Sequence, residues 1–228
     1  MELYNLMESN FSFNSQTIQT QKDCTNIKDY FNIVIIGDSS VGKTSILEKY
    51  INNAFEPNPK GKKLIEIYKK KISYHPNCYK LKFWDITKFI GKNDISEINM
   101  FYNCDGIIFV SSYDSKSSLE NLNIWYQFLI KYIDLSTKEM IWFINKKDLG
   151  DEKVLTKAQI EKKSKDLLLD FFEVSAKTGE NLENGIKNIV NKIIKRINDS
   201  NFDLESSTTD SLENEDTEVN NSNKCNIF

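Results

Sequence analysis

Four short stretches carry side chains that can do chemistry. Gly37-Asp-Ser-Ser-Val-Gly-Lys-Thr44 fits G-x-x-x-x-G-K-[ST], a loop whose glycines let backbone curl around phosphate oxygens. Lys43 carries a point charge to the β and γ phosphates, and the Thr44 hydroxyl suits Mg²⁺. The phosphate-contacting run is read as Asp38, Ser39, Ser40, Val41, Gly42, Lys43, Thr44 and Ser45. Asn145-Lys-Lys-Asp148 and Ser175-Ala-Lys177 each follow an apolar run, and Cys225-Asn-Ile-Phe228 puts a thiol at the fourth position from the end.

These stretches need a scaffold that holds them together. Ile33 to Ile36 reads as a strand buried on both faces and Ser45 to Ile51 as the following helix, so the loop sits where helix N–H groups are unpaired. Leu64 to Ile72 and Tyr79 to Asp85 read as a hairpin around Tyr74-His-Pro-Asn77, and Gly106 to Val110, Met140 to Ile144 and Phe171 to Val174 as further core strands. Ser117-Ser-Leu-Glu120 and Thr156-Lys-Ala-Gln159 read as capping boxes. The first opens a helix with Leu119, Leu122, Tyr126, Leu129 and Ile133 inward; a last helix is striped by Leu182, Ile186, Ile189, Val190, Ile193, Ile194 and Ile197. This alternation predicts an α/β fold of the P-loop NTPase type: a doubly wound, mostly parallel six-stranded sheet with helices on both faces and one antiparallel edge. Ligands in such sheets sit beyond the C-terminal strand ends, where the motifs fall.

With the phosphate loop, Trp84-Asp85, Asn145-Lys-Lys-Asp148 and Ser175-Ala-Lys177 in this order, Phe31 to Ile197 resembles the Ras superfamily of small GTPases, specifically its Rab branch. The resemblance implies GTP/GDP as ligand, with Mg²⁺ held by Thr44 and Asp85. It makes Asp148 the carboxylate that accepts guanine N1–H and N2–H, a donor pair adenine lacks. It has Asn145 steady the pocket, the stems of Lys146 and Lys177 cover the base faces, Ser175 stand in the same loop and the Ala176 N–H meet the guanine O6. Phe55, eleven positions after Thr44, matches the aromatic laid against the base edge.

Two loops depart from the family pattern. No Thr or Ser occurs between Ser45 and Ser73, and Lys62 stands where a Mg²⁺-holding Thr is usual. Lys88 and Phe89 take the places of the Gly that touches the γ-phosphate and the Gln that orients the attacking water, so no catalytic residue is assigned. Nucleotide binding is expected to survive while hydrolysis slows and the GTP/GDP switch weakens. The alternative is a pseudo-GTPase scaffold that holds nucleotide, or none, as a structural part. An ATP-using kinase of P-loop type is opposed by Asp148.

A net charge of −3 recommends no nucleic-acid partner, and Lys69-Lys70-Lys71 reads as a solvated strand edge. Four scattered cysteines and a lone His75 predict a reduced, cytosolic chain without a structural metal. Residues 1–28, rich in Asn, Ser, Gln and Thr, read as a disordered extension, 29–197 as the domain, and 198–228 as a flexible acidic tail. The terminal Cys225 fits C-a-a-X prenylation, which implies a prenyltransferase and a lipid-shielding chaperone as partners, beside effectors and an exchange factor of trafficking type. The expected location is the cytoplasmic face of an intracellular membrane, in exchange with cytosol.

Overall fold

The structure, a computed structural model, describes residues 27–57, 65–74, 77–86 and 100–213. In chain order it contains β1 (Ile27–Gly37), α1 (Lys43–Asn52), β2 (Ile65–Tyr74), β3 (Asn77–Ile86) and β4 (Gly106–Ser112). There follow α2 (Lys116–Glu120), α3 (Leu122–Tyr132), β5 (Glu139–Asn145), α4 (Lys157–Leu167), β6 (Asp170–Glu173) and α5 (Leu182–Glu213). The six strands form one sheet in the order β2-β3-β1-β4-β5-β6, antiparallel only between β2 and β3, as predicted.

The central strands are apolar throughout because both faces are covered. Odd residues of β1, Ile33 and Ile35, join one core with Ile46, Leu47 and Tyr50 of α1 and Ile186, Ile189 and Ile193 of α5. Even residues, Val34 and Ile36, join a second core with Leu119, Leu122, Leu129 and Ile160 from α2, α3 and α4. Strand order reverses at β1, which pairs with β3 on one side and β4 on the other, so the loop after Gly37 leaves the sheet at its switch point.

Several boundaries differ from expectation. β1 begins at Ile27, inside the stretch assigned to the extension, because an exposed β3 edge offers it partners down to Cys78. The rest of that extension lies outside the described residues. The hairpin strands run on to Tyr74 and back from Asn77, and α1 starts at Lys43 rather than Ser45. α5 continues to Glu213, so the first part of the expected linker is helical: the apolar stripe ends near Ile197, but no proline or glycine follows to stop the helix. Cys78 is disulfide-bonded, which departs from the expectation of a reduced chain; Cys104 is free and buried.

The Thr156 capping box forms as predicted, Thr156 and Gln159 exchanging side-chain and backbone contacts. At the other predicted box the cap is Ser115, not Ser117. The Ser115 Oγ accepts from the Ser118 N–H at 3.2 Å, Ser117 lies within α2, and the helix breaks at Asn121 before α3 begins. Ser115→Ala is therefore expected to lower unfolding free energy by about 1 kcal/mol and Ser117→Ala by only a few tenths, measured by denaturant titration.

Candidate functional site

The C-terminal ends of β1, β3, β4 and β5 stand together through their parallel register, Ile35 beside Asp85, Gly37 beside Val110 and Ser112 beside Asn145. Gly37 leaves β1 with φ +147°, and a Cβ there would lie 2.1 Å from the Val110 carbonyl oxygen. Ser40 is exposed with φ +65°, Ser39 is exposed, and Val41 turns inward to the core. Gly42, φ +94°, then caps α1 without a side chain. This left-handed turning of the backbone makes a concave loop at a helix start, lined by its own N–H groups.

Lys43 reaches back across that loop. The residue is 4% exposed, and its ammonium donates to the carbonyl oxygens of Gly37 and Asp38, both at 2.7 Å. Burial pushes its pKa down to about 8, against the opposing pull of the Asp85 and Asp38 charges. In nucleotide-free protein this group is charged in both the folded and unfolded states below pH 8, and its burial penalty is then fully present. Between pH 8 and 10.5 the native state loses its proton first, so stability should rise by on the order of 3 kcal/mol from this group alone. Denaturant titrations across that window should show the rise in the wild type relative to Lys43→Met.

The Thr44 hydroxyl donates to the buried Asp85 carboxylate at Oδ2, which joins the start of α1 to the end of β3. Two hard oxygen donors in contact fit a small divalent cation that draws its other ligands from phosphate and water.

Asn145, 1% exposed at the end of β5, ties the two ends of the site. Its Nδ2 donates to Val41 O at 2.9 Å in the phosphate loop, and its Oδ1 accepts from the Ala176 N–H at 2.9 Å. The Ala176 N–H, expected to face the O6 of a base, is thus engaged by Asn145. Asp148, with a side chain 17% exposed, accepts from the fully buried Ser175 hydroxyl at 2.6 Å. Ser175 Oγ in turn accepts from the Thr178 N–H at 3.1 Å, so the carboxylate is held through two loops at once.

The two lysines expected over the base faces are paired instead. Lys177 lies 3.9 Å from Asp148 Oδ2, and Lys146, held at φ +65°, donates to Asp114 at 2.7 Å. Burial works to raise the Asp114 pKa, but hydrogen bonds from Lys146 and Ser112 outweigh it and hold the group below its ordinary value. Ser45 is partly buried in the first turn of α1, and Phe55 lies beyond α1 with 38% exposure. Lys62, Lys88, Phe89 and Cys225 lie outside the described residues.

Asp38 has a role that the sequence reading missed. Its Oδ2 accepts from Asn121 Nδ2 at 2.8 Å and its Oδ1 from Trp125 Nε1 at 3.0 Å, fixing the phosphate loop to the α2–α3 junction. No local signal announces these partners, which are more than eighty positions away in the chain.

The family model described as "Ras family" matches residues 32–195, more than half of the chain. Among curated proteins, the Ras-related protein RabG2 of Dictyostelium discoideum is 28% identical over 169 residues, covering 73% of this chain and 84% of its own. The Ras-related protein Rab-3D of Homo sapiens is 31% identical over 175 residues, covering 75% and 78%. Rab-8B of Homo sapiens is 29% identical over 180 residues, covering 76% and 85%.

Proposed function

The chain belongs to the Ras family, and from that premise we propose that it is a Rab-like small GTP-binding protein of intracellular vesicle traffic that hydrolyses GTP slowly. The observation that carries the reading is the double tie at the end of β5. Asn145 joins the phosphate loop to the Ser175-Ala-Lys177 loop, while Ser175 orients Asp148, so one scaffold presents a phosphate cradle and a carboxylate together.

In this reading the backbone from Asp38 to Ser45 and the Lys43 ammonium bind the phosphates, with Lys43 already aimed into the loop by Gly37 and Asp38. Asp148 takes the two guanine N–H donors on its remaining lone pairs. Lys146 and Lys177 exchange their carboxylate partners for the base faces, Phe55 lies against the base edge, and the Ala176 N–H shares its bond with Asn145 to reach O6. Thr44 and Asp85 would hold Mg²⁺. When bound, that ion neutralises phosphate charge.

Lys88 stands where the family's Gly touches the γ-phosphate and Phe89 where its Gln orients the attacking water, and Phe89 has no polar atom for the task. Slow hydrolysis follows, and a pseudo-GTPase scaffold is its limiting case. Nucleotide extraction from the purified protein, followed by single-turnover assay of bound GTP, tests both. Recovered guanine nucleotide with turnover that depends on Thr44 and Asp85 supports the slow GTPase; nucleotide without turnover supports the scaffold; an empty protein or one that prefers ATP overturns the proposal.

Cys225 is the proposed prenylation site, bringing in a prenyltransferase, a lipid-shielding chaperone and a membrane, with trafficking effectors and an exchange factor acting on the domain. One lipid chain gives marginal, reversible attachment, so exchange between an intracellular membrane and cytosol follows. Cys225→Ser is expected to move the protein to the soluble fraction on cell fractionation; an unchanged membrane fraction would count against a lipid anchor here.

A further inference from the structure

The strand period sorts the β2–β3 ribbon into two faces. Tyr68, Lys70 and Ile72 turn toward α1, where the Lys70 ammonium sits 3.6 Å from the Tyr50 ring centroid and donates to Tyr50 O at 2.6 Å. Ile67, Lys69 and Lys71 take the opposite face of β2, and Lys80, Lys82 and Trp84 that of β3. The register sets Lys69 directly against Lys82 and Lys71 directly against Lys80. Like charges facing each other across a strand pair cost stability.

Nothing acidic relieves these four ammoniums: among the described residues none of them is in an ion pair. Aromatic rings hold three of them instead. Lys69 and Lys80 lie 5.7 and 5.3 Å from the Tyr30 ring centroid, and Lys82 lies 4.2 Å from that of Trp84. Tyr30 and Ile67 are 40% and 47% exposed, so apolar surface is interleaved with the charge. Protection of a sheet edge explains lysines on β2, which is an edge strand. It does not explain Lys80 and Lys82, since β3 is paired on both sides.

We propose that this face binds an acidic, extended segment of a partner protein. Alternate side chains of an extended chain repeat at about 6.5–7 Å, the spacing of Lys69 to Lys71 and of Lys80 to Lys82, so carboxylates at alternate positions meet both rows. A membrane or a nucleic acid fits less well. Both are extended polyanions that would repel a chain of net charge −3 along their whole length, whereas a short acidic segment meets only the lysine face.

The test uses the full nucleotide-loaded chain and a short fluorescein-labelled peptide of alternating Glu and Thr, with a Gln/Thr peptide as reference. The expected result is micromolar binding of the Glu peptide alone, weakening as salt rises. The double variant Lys69→Glu/Lys80→Glu should lose roughly tenfold or more in affinity. Its melting temperature should hold or rise, because each new carboxylate faces Lys82 or Lys71, and bound nucleotide should be unchanged. Lys71→Gln/Lys82→Gln should show a smaller loss. Equal binding of the two peptides, or full binding by the double variant, overturns the proposal. Lysine-dependent binding of phosphatidylserine vesicles without peptide binding reassigns the face to a membrane and overturns it too. So does peptide binding that appears only when the chain is cut after Glu213, which would make its own acidic tail the occupant.

Discussion

Asp148→Asn is expected to weaken GTP and GDP binding by roughly 10²–10⁴-fold while leaving the melting temperature of the nucleotide-free protein close to that of the wild type. A carboxylate accepts both guanine N–H donors, and hydrogen bonds to a charged group contribute about 1.5–3 kcal/mol each. Asparagine keeps one acceptor and turns an N–H₂ toward the donor at guanine C2, so one bond is lost and a clash of donors replaces it. The fold is spared because Asn Oδ1 can still accept from Ser175, and the ion pair with the 66%-exposed Lys177 contributes little. Xanthosine nucleotides, with a carbonyl at C2, should gain affinity in the variant. Competition against a fluorescent guanine nucleotide measures both effects, and GTP affinity within threefold of wild type would remove Asp148 from the base site.

Gly37→Ala is expected to be the most damaging single methyl group in the phosphate loop. The new Cβ meets the Val110 carbonyl oxygen at 2.1 Å and its carbon at 3.1 Å, both backbone atoms of the neighbouring central strand, and φ +147° is strained for alanine. Relief requires β1 and β4 to part at the point where both are fully buried. A cost of about 3 kcal/mol or more is expected, a fall of about 6–12 °C in melting temperature for a domain of this size. Nucleotide affinity should drop as well, since Lys43 takes its aim from the Gly37 carbonyl. Gly150→Ala is the control: it too has positive φ, +57°, but a Cβ there meets nothing within 4 Å, so only the backbone strain is paid.

The parts of the fold that were legible in the sequence are those written locally. Doubly buried strands read as unbroken Ile, Val and Phe runs, and the Thr156 box, the α5 stripe and the phosphate loop each lie within a few residues of chain. The Ser115 cap was missed because Ser115, Ser117 and Ser118 offer competing caps, and only the turn out of β4, where Ser118 Oγ also accepts from the Ser112 N–H, decides between them. At the site, residue types foretold which side chains gather but not whom they touch. The Asn145 bridge and the Asp38 anchor are products of strand order and helix placement, and the pairing of Lys146 with Asp114 depends on where β4 ends. The Cys78 disulfide was not legible because four cysteines more than twenty positions apart form no paired motif.

The anchor on Asp38 also has an optical consequence. Of the three tryptophans, Trp142 is sealed in the core with its N–H on Ser111, and Trp84 faces the lysine ribbon. Trp125 alone donates its indole N–H to a carboxylate of the phosphate loop. A negative charge beside an indole shifts its emission, so any rearrangement of that loop will be written in the colour of Trp125. On the proposed function, nucleotide arrival and departure are expected to shift this emission in stopped flow without a modified ligand, a change that Trp125→Phe should silence.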